Sequence, residues 1–217
     1  MVNILGQTNS VLNHFIAEIR DAEIQKDPAV FRQNLVRLGS IFAYEISKSL
    51  VYETREVSTS LGIANVPVLV ESPVLATILR AGLPFHQGFL NIFDKSDNAF
   101  VSAYRKYNKD HSFTMQIEYT SSPDLQGRTV ILCDPMLATG ASMVLSYKEL
   151  LAYGKPKHIH FASILASQEG LSFLKKNVPS RNMTVWLGTV DDELTAQSYI
   201  VPGLGDAGDL AFGKKNG

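Results

Sequence analysis

An α/β fold with a mostly parallel central sheet flanked by helices is what this sequence predicts, on two observations. From about residue 56 to residue 190, short Val/Ile/Leu-rich runs alternate with stretches of helical period, the order that lays strands parallel beneath crossover helices. Within that region Thr129-Val130-Ile131-Leu132-Cys133 is unbroken by a polar side chain after its first residue and is bounded by Gly127-Arg128 and Asp134-Pro135, as a strand buried on both faces requires.

The elements follow in order. Asn9 or Ser10 can cap a first helix on which Leu12, Phe15, Ile16 and Ile19 recur at helical spacing. Asp27-Pro28 is a second start, a capping residue with proline at the first helical position. Phe31, Leu35, Leu38, Phe42 and Ile46 then draw one apolar stripe along a long helix. Strands are expected at 66–70, 74–79, 99–104, 113–119, 129–133, 158–165 and 184–190, with a polar stretch at 106–112. Short helices are expected at 85–93 and 169–176. Another follows residue 142, with Val144, Tyr147 and Leu151 on one face and Gly154 and Pro156 at its end. The reading is one domain over 1–217: N-terminal helices in 1–55, an α/β core in 56–190, and a C-terminal segment, 191–217.

The bulk numbers narrow the function. The chain has 217 residues, 45% apolar and 19% charged, which suits a globular core rather than disorder. A net charge of −1 offers no broad attraction for nucleic acid or an anionic membrane, so an anionic ligand needs a local constellation. The single cysteine, Cys133, excludes an internal disulfide framework. With no signal-peptide pattern at the N-terminus and no apolar run of about 20 residues, the expected compartment is the cytoplasm.

In a parallel sheet, ligands bind beyond the carboxyl ends of the strands. That rule selects Arg80-Ala81-Gly82, the stretch from Asp134 to Ser142, and the stretch after Val190. The last holds Tyr199-Ile200-Val201-Pro202-Gly203-Leu204-Gly205-Asp206-Ala207-Gly208-Asp209, whose glycines and proline predict a shaped loop, neither helix nor strand. In Asp134-Pro135-Met136-Leu137-Ala138-Thr139-Gly140-Ala141-Ser142 a strand ends in a carboxylate and Thr-Gly-Ala-Ser opens a helix. Helix-opening amides suit a phosphate, Gly140 permits close backbone approach, and Thr139 and Ser142 add hydroxyl donors. Asp134 would repel that phosphate and is better explained by sugar hydroxyls, so the loop points to a phosphorylated pentose. The same residue types also make a capped turn with no ligand. The Gly-Lys-Ser/Thr ending of a P-loop is absent. His158 and His160 share a strand face and Cys133 lies in a buried strand; all three read as structural.

The stretch from Val130 to Ser142 resembles the phosphoribosyl-pyrophosphate (PRPP) motif of the type I phosphoribosyltransferase family, and its Asp-Pro-Met-Leu-Ala-Thr-Gly form resembles the uracil phosphoribosyltransferase branch. The stretch from Tyr199 to Asp209 is similar to that branch's uracil-binding segment. Ile78-Leu79-Arg80-Ala81-Gly82-Leu83 matches its pyrophosphate-side loop and Tyr104-Arg105 its second arginine; Arg20-Asp21, Phe31-Arg32 and Ala43-Tyr44-Glu45 also fit. The resemblance implies a hood built from the N- and C-terminal segments, and transfer of 5-phosphoribosyl from PRPP to N1 of uracil with Mg²⁺ present. It implies PRPP contacts from Arg80, Arg105, Asp206 and residues Asp134 to Ser142, with Asp134, Arg105 and Asp206 nearest the chemistry. It further implies that uracil is read by backbone groups of Ile200, Gly205 and Ala207 beside Asp206. Pro135 stands where the wider family often has a second acid, so Mg²⁺ is expected to rest mainly on PRPP and water. Ala141 replaces a frequent glycine, Lys106-Tyr107 follow Arg105 where relatives carry acidic or polar residues, and Leu210 replaces a common basic residue as a surface difference. Family membership and the Phe31–Ile46 stripe imply a homo-oligomer, dimer or larger; some relatives use GTP as an allosteric nucleotide, which the sequence leaves open. Two other functions fit the same fold: an RNA-binding regulator that senses PRPP or nucleotides, which would need a basic face, and a transferase for another nucleobase, which would need a different base loop.

Overall fold

The computed structural model describes residues 1–107 and 113–214, and the side chains of 104–107 and 113–115 are not described. Most of the polar stretch expected at 106–112 lies outside the described residues, as does Lys215.

The N-terminal part begins with strand β1 (Val2–Ile4) and helices α1 (Val11–Arg20) and α2 (Pro28–Ser47). Ser10 caps α1 through a reciprocal bond with Asn13, and the Asp27 carboxylate accepts from the Ala29 and Val30 N–H groups at the start of α2. Strands β2 (Tyr52–Thr59) and β3 (Gly62–Leu69) pair with each other, antiparallel. The core then runs β4 (Val74–Leu79), α3 (Gly82–Leu90), β5 (Asn98–Tyr107), β6 (Phe113–Ser121), β7 (Thr129–Cys133), β8 (Met136–Leu137), α4 (Ala141–Leu150), β9 (His158–Ser167), α5 (Gln168–Asn177) and β10 (Met183–Asp191). The short strands β11 (Glu193–Leu194) and β12 (Ile200–Val201) and helix α6 (Ala207–Phe212) complete the chain.

The main sheet has the order β1-β10-β9-β7-β4-β5-β6, with β8 continuing the pairing along β9. Its pairs are parallel except β5 with β6. Alternate residues of β4 face opposite layers: Leu75 packs with α1, α2 and α3, whereas Val74, Ala76 and Ile78 pack with α4 and α5. Burial on both sides is why these strands read as continuous apolar runs. Parallel strands also end together, so the segments after β4, β7 and β10 gather at one edge of the sheet.

The structure corrects four expectations. Residues 1–55 are not only helices, because β1 pairs with β10 at the sheet edge and β2 starts at Tyr52. The β2–β3 hairpin stands apart from the main sheet; its charged first strand is exposed at every residue, so no burial period marked it. The α2 stripe Phe31, Leu35, Leu38, Phe42 and Ile46 is 0–1% exposed inside this chain, against α1 and α3, and offers no surface to a second copy. Finally, the 199–209 segment is not wholly irregular, since it contains β12 and the first residues of α6. The N- and C-terminal parts do meet: the Arg32 guanidinium on α2 donates to the Ala211 carbonyl of α6 at 2.7 Å.

Candidate active site

The three segments selected by the sheet-edge rule converge on one cleft of about 170 Å³. Its walls are Ala81 after β4, Asp134, Met136, Leu137, Ala138, Thr139, Gly140 and Ser142 after β7, and Ser198, Tyr199, Ile200, Gly205, Asp206, Ala207 and Gly208 after β10. Pro135 and Ala141 do not line it. Pro135 is buried and its carbonyl accepts the Ile164 and Leu165 N–H groups, while the Ala141 N–H turns to the Thr139 hydroxyl at 3.4 Å.

The loop between β7 and α4 is held from beneath. Gly140 adopts φ 77°, a left-handed turn that places the α4 amides at the cleft. A Cβ on Gly140 would lie 2.8 Å from the Gly170 carbonyl oxygen, so the close backbone approach is to α5. Ser167 donates its hydroxyl to the Ala138 carbonyl at 2.5 Å and accepts the Gly170 N–H at 2.8 Å. Across the sheet, the Thr77 hydroxyl donates to the Cys133 carbonyl at 3.2 Å, and a Cβ on Gly82 would strike that same hydroxyl at 2.1 Å. Sequence reasoning missed Ser167, Gly170 and Thr77. The close fit of glycines 82 and 170 is their one local signal, and it has no partner visible along the chain.

Burial lifts the Asp134 carboxyl to about 7, opposed by one hydrogen bond from the Met136 N–H. Burial likewise pushes the Cys133 thiol to about 12, which leaves it an inert core group. Asp206 is exposed at the cleft and caps α6, its Oδ1 accepting the Asp209 N–H at 2.9 Å. Asp209 in turn accepts from Arg80 Nη2 at 3.2 Å, and Arg80 also donates to the Gly213 carbonyl at 3.3 Å. Arg80 thus lies at the rim near Gly208, bridged to the C-terminal helix. The backbone of Arg105 sits on β5 opposite Met115, and its side chain is outside the described residues. Ile200 and Ala207 line the cleft although each is only 3% exposed. Gly205 has φ 94° and open space where a side chain would stand. Leu210, expected on the surface, is instead partly buried against the core.

The histidine pair is occupied structurally: His158 Nε2 meets the Thr184 hydroxyl at 3.0 Å, and Trp186 Nε1 donates to His160 Nδ1 at 3.1 Å. Among the described residues no group of three His, Cys, Asp or Glu side chains is placed to hold a metal. Two cleft carboxylates, Asp134 and Asp206, fit a hard cation that keeps water and ligand oxygens as most of its shell, and do not fit a closed protein cage.

Comparison with known proteins places these features in a family. The uracil phosphoribosyltransferase family model matches residues 7–214. A uracil phosphoribosyltransferase of Porphyromonas gingivalis strain ATCC 33277 is 54% identical over 211 residues, 97% of each chain. One from Thermococcus gammatolerans is 37% identical over 202 residues, covering 91% of this chain and 87% of its own. The solved structure of the AQ2163 protein from Aquifex aeolicus superimposes with a TM-score of 0.85 at 29% identity, covering 98% of both chains. With the family model spanning almost all of it and relatives this similar along nearly their full length, the chain belongs to the uracil phosphoribosyltransferase family.

Proposed function

We propose that this protein transfers the 5-phosphoribosyl group of PRPP to N1 of uracil, giving UMP and pyrophosphate. The observation that carries the reading is the convergence of the 134–142 and 198–208 segments on one cleft, a phosphate-type loop opposite the glycine-containing segment that resembles a uracil-binding one. In the reaction N1 forms a bond to the ribose anomeric carbon, the bond to pyrophosphate breaks, and the N1 proton leaves to solvent. The helix-opening amides after Gly140, with the Thr139 and Ser142 hydroxyls, suit the 5-phosphate. Asp134 accepts from the ribose hydroxyls. Arg80 and Arg105 take the pyrophosphate, whose charge grows as it departs. Uracil presents two carbonyls around an N–H, a pattern that main-chain groups of Ile200, Gly205 and Ala207 complement; Ala207 opens α6 and its N–H has no partner within that helix. Asp134 and Asp206 would hold a Mg²⁺ ion through water, and such an ion would offset phosphate charge.

The protein is further read as a homo-oligomer of the β2–β3 hairpin, whose Val57, Leu61 and Ile63 are exposed apolar residues on an arm unpaired with the main sheet. It is read as one domain and as cytoplasmic, and among the described residues no helix is long and apolar enough to cross a membrane. The deciding experiment is incubation with PRPP, Mg²⁺ and each nucleobase in turn, following pyrophosphate release. Release with uracil alone supports the reading, and release with another base but not uracil overturns it.

A further inference from the structure

We infer that Arg20 and Asp191, both outside the cleft, are positioning residues that hold the base-reading loop in shape through Gly203. Asp191 ends β10 and is 8% exposed; Arg20 ends α1. Their contact is bidentate, Arg20 Nη2 to Asp191 Oδ1 at 2.7 Å and Nη1 to Oδ2 at 2.9 Å. The same two atoms that form the second bond also grip the loop. Asp191 Oδ2 accepts the Gly203 N–H at 3.0 Å, and Arg20 Nη1 donates to the Gly203 carbonyl at 3.2 Å. One buried peptide unit on each side of Gly203 is thereby tied to one ion pair.

Gly203 is the residue that can accept this grip. Its φ is 54°, and a Cβ there would stand 2.1 Å from the Ile200 carbonyl oxygen, so the chain turns back on Ile200 at this point. Ile200 lies three residues before the grip and Gly205 two residues after it, which places the grip between the two halves of the base-reading surface. An ion pair with Asp191 buried and Arg20 partly buried is a costly way to dock a helix end on a strand end, since desolvation consumes much of its attraction. Apolar side chains would dock the same elements. They could not satisfy an N–H and a carbonyl of a buried glycine in fixed directions, and that is the distinctive task this pair performs.

The inference rests on the reading that the 200–207 segment holds the base, and the experiment separates the two. Steady-state kinetics are measured for the parent, Arg20→Lys, Asp191→Asn and Gly205→Val, varying uracil and PRPP separately, with cytosine as competitor. Arg20→Lys keeps the charge facing Asp191 but cannot bond Asp191 and Gly203 in the same fork. The expected result for both clamp variants is a uracil KM raised at least about tenfold, the scale of losing one or two buried hydrogen bonds, with PRPP KM within about twofold and weaker discrimination against cytosine. A purely structural pair would lower the thermal midpoint and leave both KM values of the folded enzyme unchanged, which would overturn the inference while Gly205→Val still abolishes uracil use. Uracil use surviving in Gly205→Val would remove the underlying reading, and the clamp with it. Should Asp191→Asn fail to fold, Arg20→Lys alone decides.

Discussion

Asp134 holds its proton unusually tightly for a carboxyl, because burial lifts it from 3.8 to about 7. The form that accepts hydrogen bonds from a ribose diol is the ionised one, so kcat/KM for PRPP should rise with pH through about 7 and level off above it. Asp134→Asn should flatten that limb and raise the barrier by about 2–4 kcal/mol, the scale of one charge-stabilising group. A parent profile flat from pH 6 to 8, or near-parent turnover in the variant, would refute the role. Stability runs the other way. The folded chain keeps a proton that the unfolded chain releases, so this residue's contribution is fully present below 3.8 and is lost as pH rises through about 7. At pH 8 the asparagine variant should therefore melt no lower than the parent by calorimetry, separating a functional carboxylate from a structural one.

Between β10 and α6, Ile200, Leu204 and Ala207 anchor in the core while Gly205 and Asp206 are exposed at the cleft, and the two sets of residues should respond differently to substitution. Ile200→Val keeps a β-branched apolar anchor and should preserve uracil selectivity. Gly205→Val demands a side chain at φ 94°, and should abolish uracil use even though the space beside it is open. Kinetics with uracil and cytosine check both, since cytosine reverses the polarity at ring position 4 and leaves main-chain groups unpaired at about 1–3 kcal/mol each. Much of this was legible in the chain itself. The apolar run at β7, the cap at Asp27 and the glycine-rich segment after β10 are local patterns, and local patterns survive folding. β1 escaped notice because three half-buried residues carry no period, and β2 because a fully exposed strand has no apolar face to alternate. Ser167, Thr77 and the Arg20–Asp191 pair escaped because their partners are 29, 56 and 171 residues away, distances over which sequence has no spacing rule.

Taken whole, the molecule spends its long α2 stripe internally and leaves the β2–β3 hairpin as its unpaired arm. Leu61, 98% exposed, and Ile63, 69% exposed, are the residues whose replacement should matter to assembly. Light scattering at micromolar concentration should give more than one chain mass for the parent and a smaller mass for Leu61→Ser with Ile63→Ser; a monomeric parent would refute the oligomer. The opposite end of the sheet, where β7, β9 and β10 begin, has a use of another kind. Trp186 is the single tryptophan of the chain, nine-tenths shielded, with its indole N–H held by His160. Its emission therefore reports the interior of the β9–β10 pair without competing signals, and should shift to the red in one step as denaturant opens the sheet. Protonated imidazole would quench that emission, but burial first and the neighbouring His158 second push His160 down to about 3. The folded protein's fluorescence should stay level from pH 8 to pH 5, giving an optical baseline against which the Asp134 titration and the melting of every variant can be read.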